Sequence, residues 1–435
     1  MKRLISKHLM DWANSPQRKP LLLRGARQVG KTYEVRNLGT TFRHFVEINF
    51  EKNIEAKKLF DKDLDASRIV RDIELLLQVK IIPGETLLFF DEIQEVPQAI
   101  IALRYFFEDL PKLHVVAAGS LLEFALQQVG VPVGRVSFLH MYPLSFMEFL
   151  HATGREIAEQ AILSHPIAEP MTDIIHNQLM SYLGEYFAIG GMPEVVSTWK
   201  ETGDPHTIQD IHQSLLAAYR QDFHKYAAQH QMKYVSLLFD QIPYHLGKTF
   251  KFSSIPGEYR KRELSPCLDL LEMAGIINKV FHSSAQGLPL GGQANLEKFK
   301  VLFLDIGLAQ TFLGANIADW FLNPQQSYIN KGEITEAFVG QELLAYAPPN
   351  QKHSLYYWHR EKQGSLAEVD YVVQNKNAVI PIEVKGGMGN TLRSLYSFLE
   401  SHPNSTYGLR FSTQNYSIFN NVHSYPLYAV ASAVS

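Results

Sequence analysis

The first third of the chain is built from short, continuous apolar runs separated by longer stretches with few helix breakers. Leu21-Leu22-Leu23 is one such run, Phe45-Val46-Glu47-Ile48-Asn49 another, and Leu113-His114-Val115-Val116-Ala117-Ala118 a third that leads into Gly119-Ser120. Thr86-Leu87-Leu88-Phe89-Phe90-Asp91-Glu92 is apolar at successive positions and ends in two carboxylates. A strand buried on both faces of a parallel sheet needs that lack of alternation, with charge only at its tip. Strands spaced by helical segments over residues 1–150 predict an α/β sheet.

Over residues 151–245 the pattern turns helical, with its clearest break at Gly190-Gly191-Met192-Pro193. From Leu215 to Ala228, apolar and aromatic positions recur at helical spacing around Arg220, Asp222 and Lys225, which read as packing and cap residues. Residues 246–324 form a smaller unit: Ser265-Pro266 predicts a helix start, Leu268, Leu271 and Met273 its apolar face, and Gly275 its end. Ile276-Ile277-Asn278-Lys279-Val280-Phe281 then resumes as a strand, so the unit reads as a winged-helix-like module. In residues 325–435, Glu368 to Val373 and Ala378 to Lys385 flank the turn Gln374-Asn375-Lys376-Asn377 and predict a hairpin.

At 435 residues the chain is too long for one core and suggests about three domains. A hydrophobic content of 46% with 20% charged residues is that of a soluble globular protein, and no apolar run approaches the length of a membrane helix. Lys7, His8 and Asp11 interrupt any signal-peptide core, and the single cysteine, Cys267, fits a reducing cytoplasm. A net charge of −3 argues against coating nucleic acid by bulk electrostatics, while leaving room for a local basic patch.

Gly25-Ala26-Arg27-Gln28-Val29-Gly30-Lys31-Thr32 has the spacing of a phosphate-binding loop and lies between a strand and a helix. Gly25 and Gly30 permit the tight turn that points backbone N–H groups at phosphate oxygens. Lys31 is expected to reach the β- and γ-phosphates and Thr32 to hold Mg²⁺. Asp91 is expected to join Thr32 at the metal, with Glu92 activating the attacking water. Ser120, at the end of the third run, is placed as a γ-phosphate sensor, although Gly-Ser after a strand is also ordinary turn chemistry. ATP and Mg²⁺ are thus the expected cofactors. Arg135 has two readings: an arginine finger completing a neighbouring subunit's site in a homo-oligomer, or a surface ion pair.

Arg260-Lys261-Arg262, ahead of the predicted helix, either touches DNA phosphates or is a solvated face. In the last unit, the strand period of two puts Glu383 and Lys385 on one face, and Asp370 can join them from the adjoining strand. Two carboxylates and a lysine so placed suit a Mg²⁺-dependent nuclease, with Glu336 as a further acid from a helix starting near Glu333. Plain surface charge is the competing reading.

Taken together, these motifs resemble, over nearly the whole chain, a family of uncharacterised prokaryotic ATP-binding proteins with an AAA-type ATPase domain and a C-terminal domain of unknown function. The likeness is carried by the phosphate loop, by Phe90-Asp91-Glu92-Ile93-Gln94, by Gly134-Arg135 with Tyr142-Pro143-Leu144-Ser145-Phe146, and by Gly190-Gly191-Met192-Pro193-Glu194. The resemblance implies a P-loop AAA-type ATPase core (1–150), a helical lid (151–245), a winged-helix-like module (246–324) and a restriction-endonuclease-like α/β domain (325–435). The expected function is a Mg²⁺-dependent ATPase coupling nucleotide state to a C-terminal effector, with double-stranded DNA as candidate partner and no membrane association. The alternatives are an ATP-gated DNA nuclease and a slow nucleotide switch that only binds a protein or DNA partner.

Overall fold

The computed structural model describes residues 1–130, 132–322, 324, 327–328, 331–360, 367–387 and 392–434. The boundary expected after residue 324 abuts residues 325 and 326, which lie outside the described residues. Five strands, β1 (Leu21–Arg24), β2 (His44–Asn49), β3 (Thr86–Asp91), β4 (His114–Ala118) and β5 (Ser137–His140), form a parallel sheet in the order β2-β3-β4-β1-β5. Every residue of β3 and β4 is buried, as their unbroken apolar runs require.

The two faces of this sheet feed different cores. Leu22, Leu88, Phe90 and Ala117 pack against the helices Ala66–Leu77 and Pro97–Asp109, where Phe90 meets Phe50, Phe60 and Phe106. Leu21, Leu23, Leu87, Phe89, Val116 and Ala118 face the other way, into a core that runs on through the helical segment to the C-terminal strands. Burying each such side chain contributes roughly 1.5–3 kcal/mol, so this shared core binds the parts of the chain more firmly than any single polar contact does.

Two of the sequence motifs are halves of one joint. Gly191 accepts a hydrogen bond from the Leu144 N–H at 2.7 Å, and a Cβ at Gly191 would lie 2.1 Å from the Leu144 carbonyl oxygen, which explains the glycine. Tyr186 donates to that same carbonyl at 2.6 Å, and buried Asp305 accepts from the Gly191 N–H at 2.6 Å while capping the helix Ile306–Phe312. Ser145 and Glu148 then close a capping box on the helix Phe146–Ala152.

The helix expected to start at Ser265-Pro266 instead spans Lys261–Met273, with Pro266 inside it. Glu263 accepts from the Arg260 N–H and fixes an earlier start, and burial of Leu264, Cys267, Leu268 and Leu271 outweighs the bond that proline cannot make. Gly275 ends it as expected, at φ 74°, with the Ile276 N–H returning to the Leu271 carbonyl.

Strands β6 (Ile277–Ser283) and β7 (Ala294–Phe303) pair antiparallel, but they do not stand apart as a wing. β6 pairs in parallel with β8 (Leu355–His359), which leads through β9 (Glu368–Asn375) and β10 (Ala378–Lys385) to β11 (Gly408–Ser412), β13 (Val422–Pro426) and β12 (Ser417–Phe419). The result is one eight-stranded sheet, β12-β13-β11-β10-β9-β8-β6-β7. Within it, the helix Gly332–Ala345, the antiparallel run β8-β9-β10, the helix Arg393–Ser401 and β11 follow in chain order. Among the described residues no helix is long and apolar enough to cross a membrane.

Candidate nucleotide site and carboxylate cluster

The sheet order places the C-terminal end of β4 between those of β1 and β3, so the three motifs expected to act together converge. Residues Gly25 to Gly30 connect β1 to the helix Lys31–Gly39, and Gly25 and Gly30 take positive φ, 146° and 98°. A Cβ at Gly25 would lie 2.3 Å from the Met141 carbonyl oxygen, so this turn admits only glycine. Lys31 is buried and folds back to donate to the carbonyls of Gly25 at 2.9 Å and Ala26 at 2.7 Å. Burial pushes its ammonium down to about 8.

Thr32 donates to Asp91 at 3.2 Å, and Asn49 donates to the second Asp91 oxygen at 2.9 Å. A hydroxyl and a carboxylate side by side are the hard oxygen donors Mg²⁺ takes. Burial, and then the adjoining Glu92, hold Asp91 above the usual carboxylate range. Glu92 has φ 52°, accepts from Gln94 at 2.7 Å, and receives the Ser120 N–H at 3.5 Å. Ser120 thus meets the site through its backbone.

Three contacts on this loop were not legible in the sequence. Buried Arg3, ahead of the helix Leu4–Asn14, donates to the Val29 carbonyl at 3.0 Å, to the Tyr142 carbonyl at 2.7 Å and to Glu148 at 2.8 Å. Asp222, expected to be a packing or cap residue, pairs with Arg27 from the helix Pro205–Tyr226, and Tyr219 of that helix donates to the Arg27 carbonyl at 2.6 Å. Gly275 leans on Ala26, where a Cβ would come within 3.2 Å.

Ala26, Arg27, Gln28 and Val29 all lie in this loop, with Gln28 at φ 63° and Val29 fully buried. Arg135 does not. It precedes β5, at the end of the parallel sheet opposite the loop, and pairs with Glu108 at 2.8 Å. It is out of reach of its own chain's phosphate site.

Arg260 and Arg262 are exposed at the start of their helix, and Lys261 pairs with Glu297. Asp370, Glu383, Lys385 and Glu336, by contrast, do come together. Lys385 donates to Glu383 at 2.5 Å, Asp370 accepts the Val384 N–H at 2.7 Å, and Tyr371 donates to the Glu336 carbonyl at 2.8 Å. Among these side chains lies a lysine that the sequence did not single out. Lys300, 2% exposed, puts its ammonium 2.8 Å from Glu336, 2.6 Å from Glu368 and 4.0 Å from Asp370. Among the described residues, no group of three or more His, Cys, Asp or Glu side chains is arranged to hold a metal ion. Burial drives the Glu336 carboxyl up to about 8 and that of Glu383 up to about 7.

Comparison with known proteins gives three family matches. Residues 17–150 match an AAA domain, residues 180–319 a domain of unknown function (DUF8612), and residues 331–430 a second one (DUF4143). No curated protein matches the chain. Among solved structures, a Walker-type ATPase of Pyrococcus abyssi is similar at 16% identity and a TM-score of 0.46, covering 72% of this chain and 95% of its own. PCH-2 of C. elegans is similar at 12% identity and a TM-score of 0.28, covering 46% and 62%. Drosophila ORC bound to DNA is similar at 13% identity and 0.27, covering 71% and 84%. Residues 17–150 thus carry an AAA-type ATPase domain, which includes the phosphate loop and the parallel α/β sheet, and the two later matches are to domains of unknown function.

Proposed function

We propose that this protein is a Mg²⁺-dependent ATPase whose nucleotide state is transmitted to its C-terminal α/β sheet, with double-stranded DNA as the candidate partner of that half. The carrying observation is the convergence of Lys31, the Thr32–Asp91 pair and Glu92 at the ends of β1 and β3. Lys31 exchanges its two loop carbonyls for phosphate oxygens. Thr32 and Asp91 hold Mg²⁺, which when bound neutralises phosphate charge. Glu92, kept in place by Gln94, takes the proton of the attacking water.

Transmission is supported by two sets of hydrogen bonds that meet on one helix. Arg3 joins the Val29 carbonyl to Glu148, Glu148 belongs to the helix Phe146–Ala152, and Glu342 of the helix Gly332–Ala345 accepts from the Phe146 N–H at 3.0 Å. That last helix also carries Glu336 of the carboxylate cluster. The nuclease alternative draws support from the convergence of Asp370, Glu383, Lys385 and Glu336, and it requires Lys300 to leave them.

The test is ATP hydrolysis with and without double-stranded DNA, alongside DNA integrity in the same tubes. Glu92→Gln should still bind ATP and hydrolyse about 10²-fold more slowly. Parental turnover in that variant removes the assignment, and turnover indifferent to DNA removes DNA as the partner.

A further inference from the structure

The last turns of the helix Pro205–Tyr226 reach the end of the sheet at which the nucleotide site is built, and touch it at three places. Asp222 pairs with Arg27 of the phosphate loop. Lys225 pairs at 3.0 Å with Glu51, two residues beyond the Asn49 that donates to Asp91. Tyr226 stacks on Phe124, in the helix Leu122–Val129 that follows Ser120, with ring centres 4.8 Å apart. One helix is thus tied to the segments that leave β1, β2 and β4, and β3, which ends in Asp91, runs between β2 and β4.

Arg27 is the cation of this arrangement whose donors are not all used. Asp222 takes Nη1, and among the described residues Nε and Nη2 donate to no protein acceptor. Arg3, on the same loop, is spent by contrast: Nε, Nη1 and Nη2 go to Glu148 and to the Val29 and Tyr142 carbonyls. Nor does Arg27 trail in solvent. Its side chain is 36% exposed, its carbonyl accepts from Tyr219 at 2.6 Å, and its charge acts on both Lys31 and Glu92. With Lys31 reaching the β- and γ-phosphates and Glu92 facing the attacking water, the γ-phosphate comes to rest between those two side chains. Arg27 is a further positive group coupled to both. A guanidinium presents a planar fork of donors, so one nitrogen can stay on a carboxylate while the others meet a phosphate oxygen.

We propose that Arg27 contacts the γ-phosphate of ATP through the donors that Asp222 leaves free, and so sets a preference for ATP over ADP, with Asp222 as its positioning residue. The proposal rests on the ATPase reading and adds to it a cation from the same chain. It is independent of the role of Arg135.

The experiment measures binding alone, by calorimetry on the full chain with Mg²⁺, and compares ADP with the non-hydrolysable analogue AMP-PNP. Arg27→Met should keep ADP affinity within about twofold and weaken AMP-PNP by about tenfold to a hundredfold, the range of a hydrogen bond to a charged group. Arg27→Lys keeps the charge without the fork and should recover only part of the loss. Asp222→Asn should weaken AMP-PNP less than Arg27→Met does, and adding it to Arg27→Met should change nothing further, because it acts through the guanidinium. If Arg27→Met does not fold once Asp222 loses its partner, Arg27→Met with Asp222→Asn is read in its place. Equal losses for the two nucleotides, or no loss for AMP-PNP, overturn the proposal and leave the ATPase reading standing. A parent that binds neither nucleotide removes that reading, and this proposal with it.

Discussion

Glu342 accepts a hydrogen bond from the backbone N–H of Phe146, 196 residues earlier in the chain, at 3.0 Å, and so caps a helix of the ATPase half from a helix of the C-terminal half. Tyr346 donates to its other oxygen at 2.6 Å, and only 2% of the residue is exposed.

Burial pushes the Glu342 carboxyl up to about 8 from its ordinary 4.5. The folded state therefore keeps a proton that the unfolded chain releases above 4.5, and stability falls as pH rises through that window toward 8. Glu342→Gln keeps an acceptor for Phe146 and has no proton to lose. Its thermal midpoint should vary less between pH 5 and pH 8 than the parent's, with the gap narrowing or reversing at the upper end. Parallel pH profiles for the two proteins would mean that Glu342 does not titrate in this range.

Lys31 gives a second pH dependence, of opposite origin. Burial lowers its ammonium to about 8, so in the free protein it is charged below that pH and increasingly neutral above it. Only the charged form attracts phosphate oxygens, and binding ATP must take up a proton once the pH exceeds 8. ATP affinity should be flat from pH 6.5 to 7.5 and fall by up to about tenfold per pH unit above 8. Calorimetry in buffers of different ionisation enthalpy would detect the uptake, and affinity unchanged up to pH 9.5 would contradict it.

The phosphate loop, β3 and the end of β4 could be read from the chain because their chemistry is local: each is a contiguous run whose spacing alone imposes a strand, a turn or a charged tip. Arg3 could not, since its partners Val29, Tyr142 and Glu148 are brought to it only by folding. Lys300 has the same history. In Lys298-Phe299-Lys300-Val301 it reads as the polar side of an exposed strand, and its burial follows from carboxylates on a helix and on β9. The wing was misplaced for a related reason, because the β6–β8 pairing spans more than seventy residues and leaves no local trace. Glu383, Lys385 and Asp370 were found because strand periodicity is local. The buried Lys300 beside Asp370 was not.

The Arg27–Asp222 pair, with Lys225 bridging from Asp222 at 3.9 Å to Glu51 at 3.0 Å, ties the helix Pro205–Tyr226 to the nucleotide loop. Arg27 is about a third exposed, so the pair is expected to contribute only about 1 kcal/mol. Asp222→Asn should therefore release a fluorescent ATP analogue about fivefold faster, a factor worth about 1 kcal/mol, with little change in melting temperature. Stopped-flow displacement measures this directly, and an unchanged off-rate would show that the helix does not retain nucleotide.

Arg135 presents a sharper choice. Its position before β5, on the outer strand of the sheet and at the end away from Lys31, leaves a neighbouring subunit as the only nucleotide site it could serve. Its side chain is 42% exposed and held by Glu108, which Arg104 also contacts at 3.1 Å. If Arg135 acts in trans, Arg135→Ala should bind ATP as the parent does and turn over about 10²-fold more slowly or worse. Glu92→Gln chains lack the base but keep the arginine, so mixing the two inactive proteins should restore turnover at interfaces that pair an intact Glu92 with an intact Arg135. Glu108→Gln frees the guanidinium and should not lower the rate. If the residue is only a surface ion pair, all of these variants except Glu92→Gln hydrolyse at the parental rate and mixing restores nothing. Sedimentation run beside the assay decides the remaining case, because turnover per chain that stays constant while the parent is monomeric leaves no interface for a finger to act across.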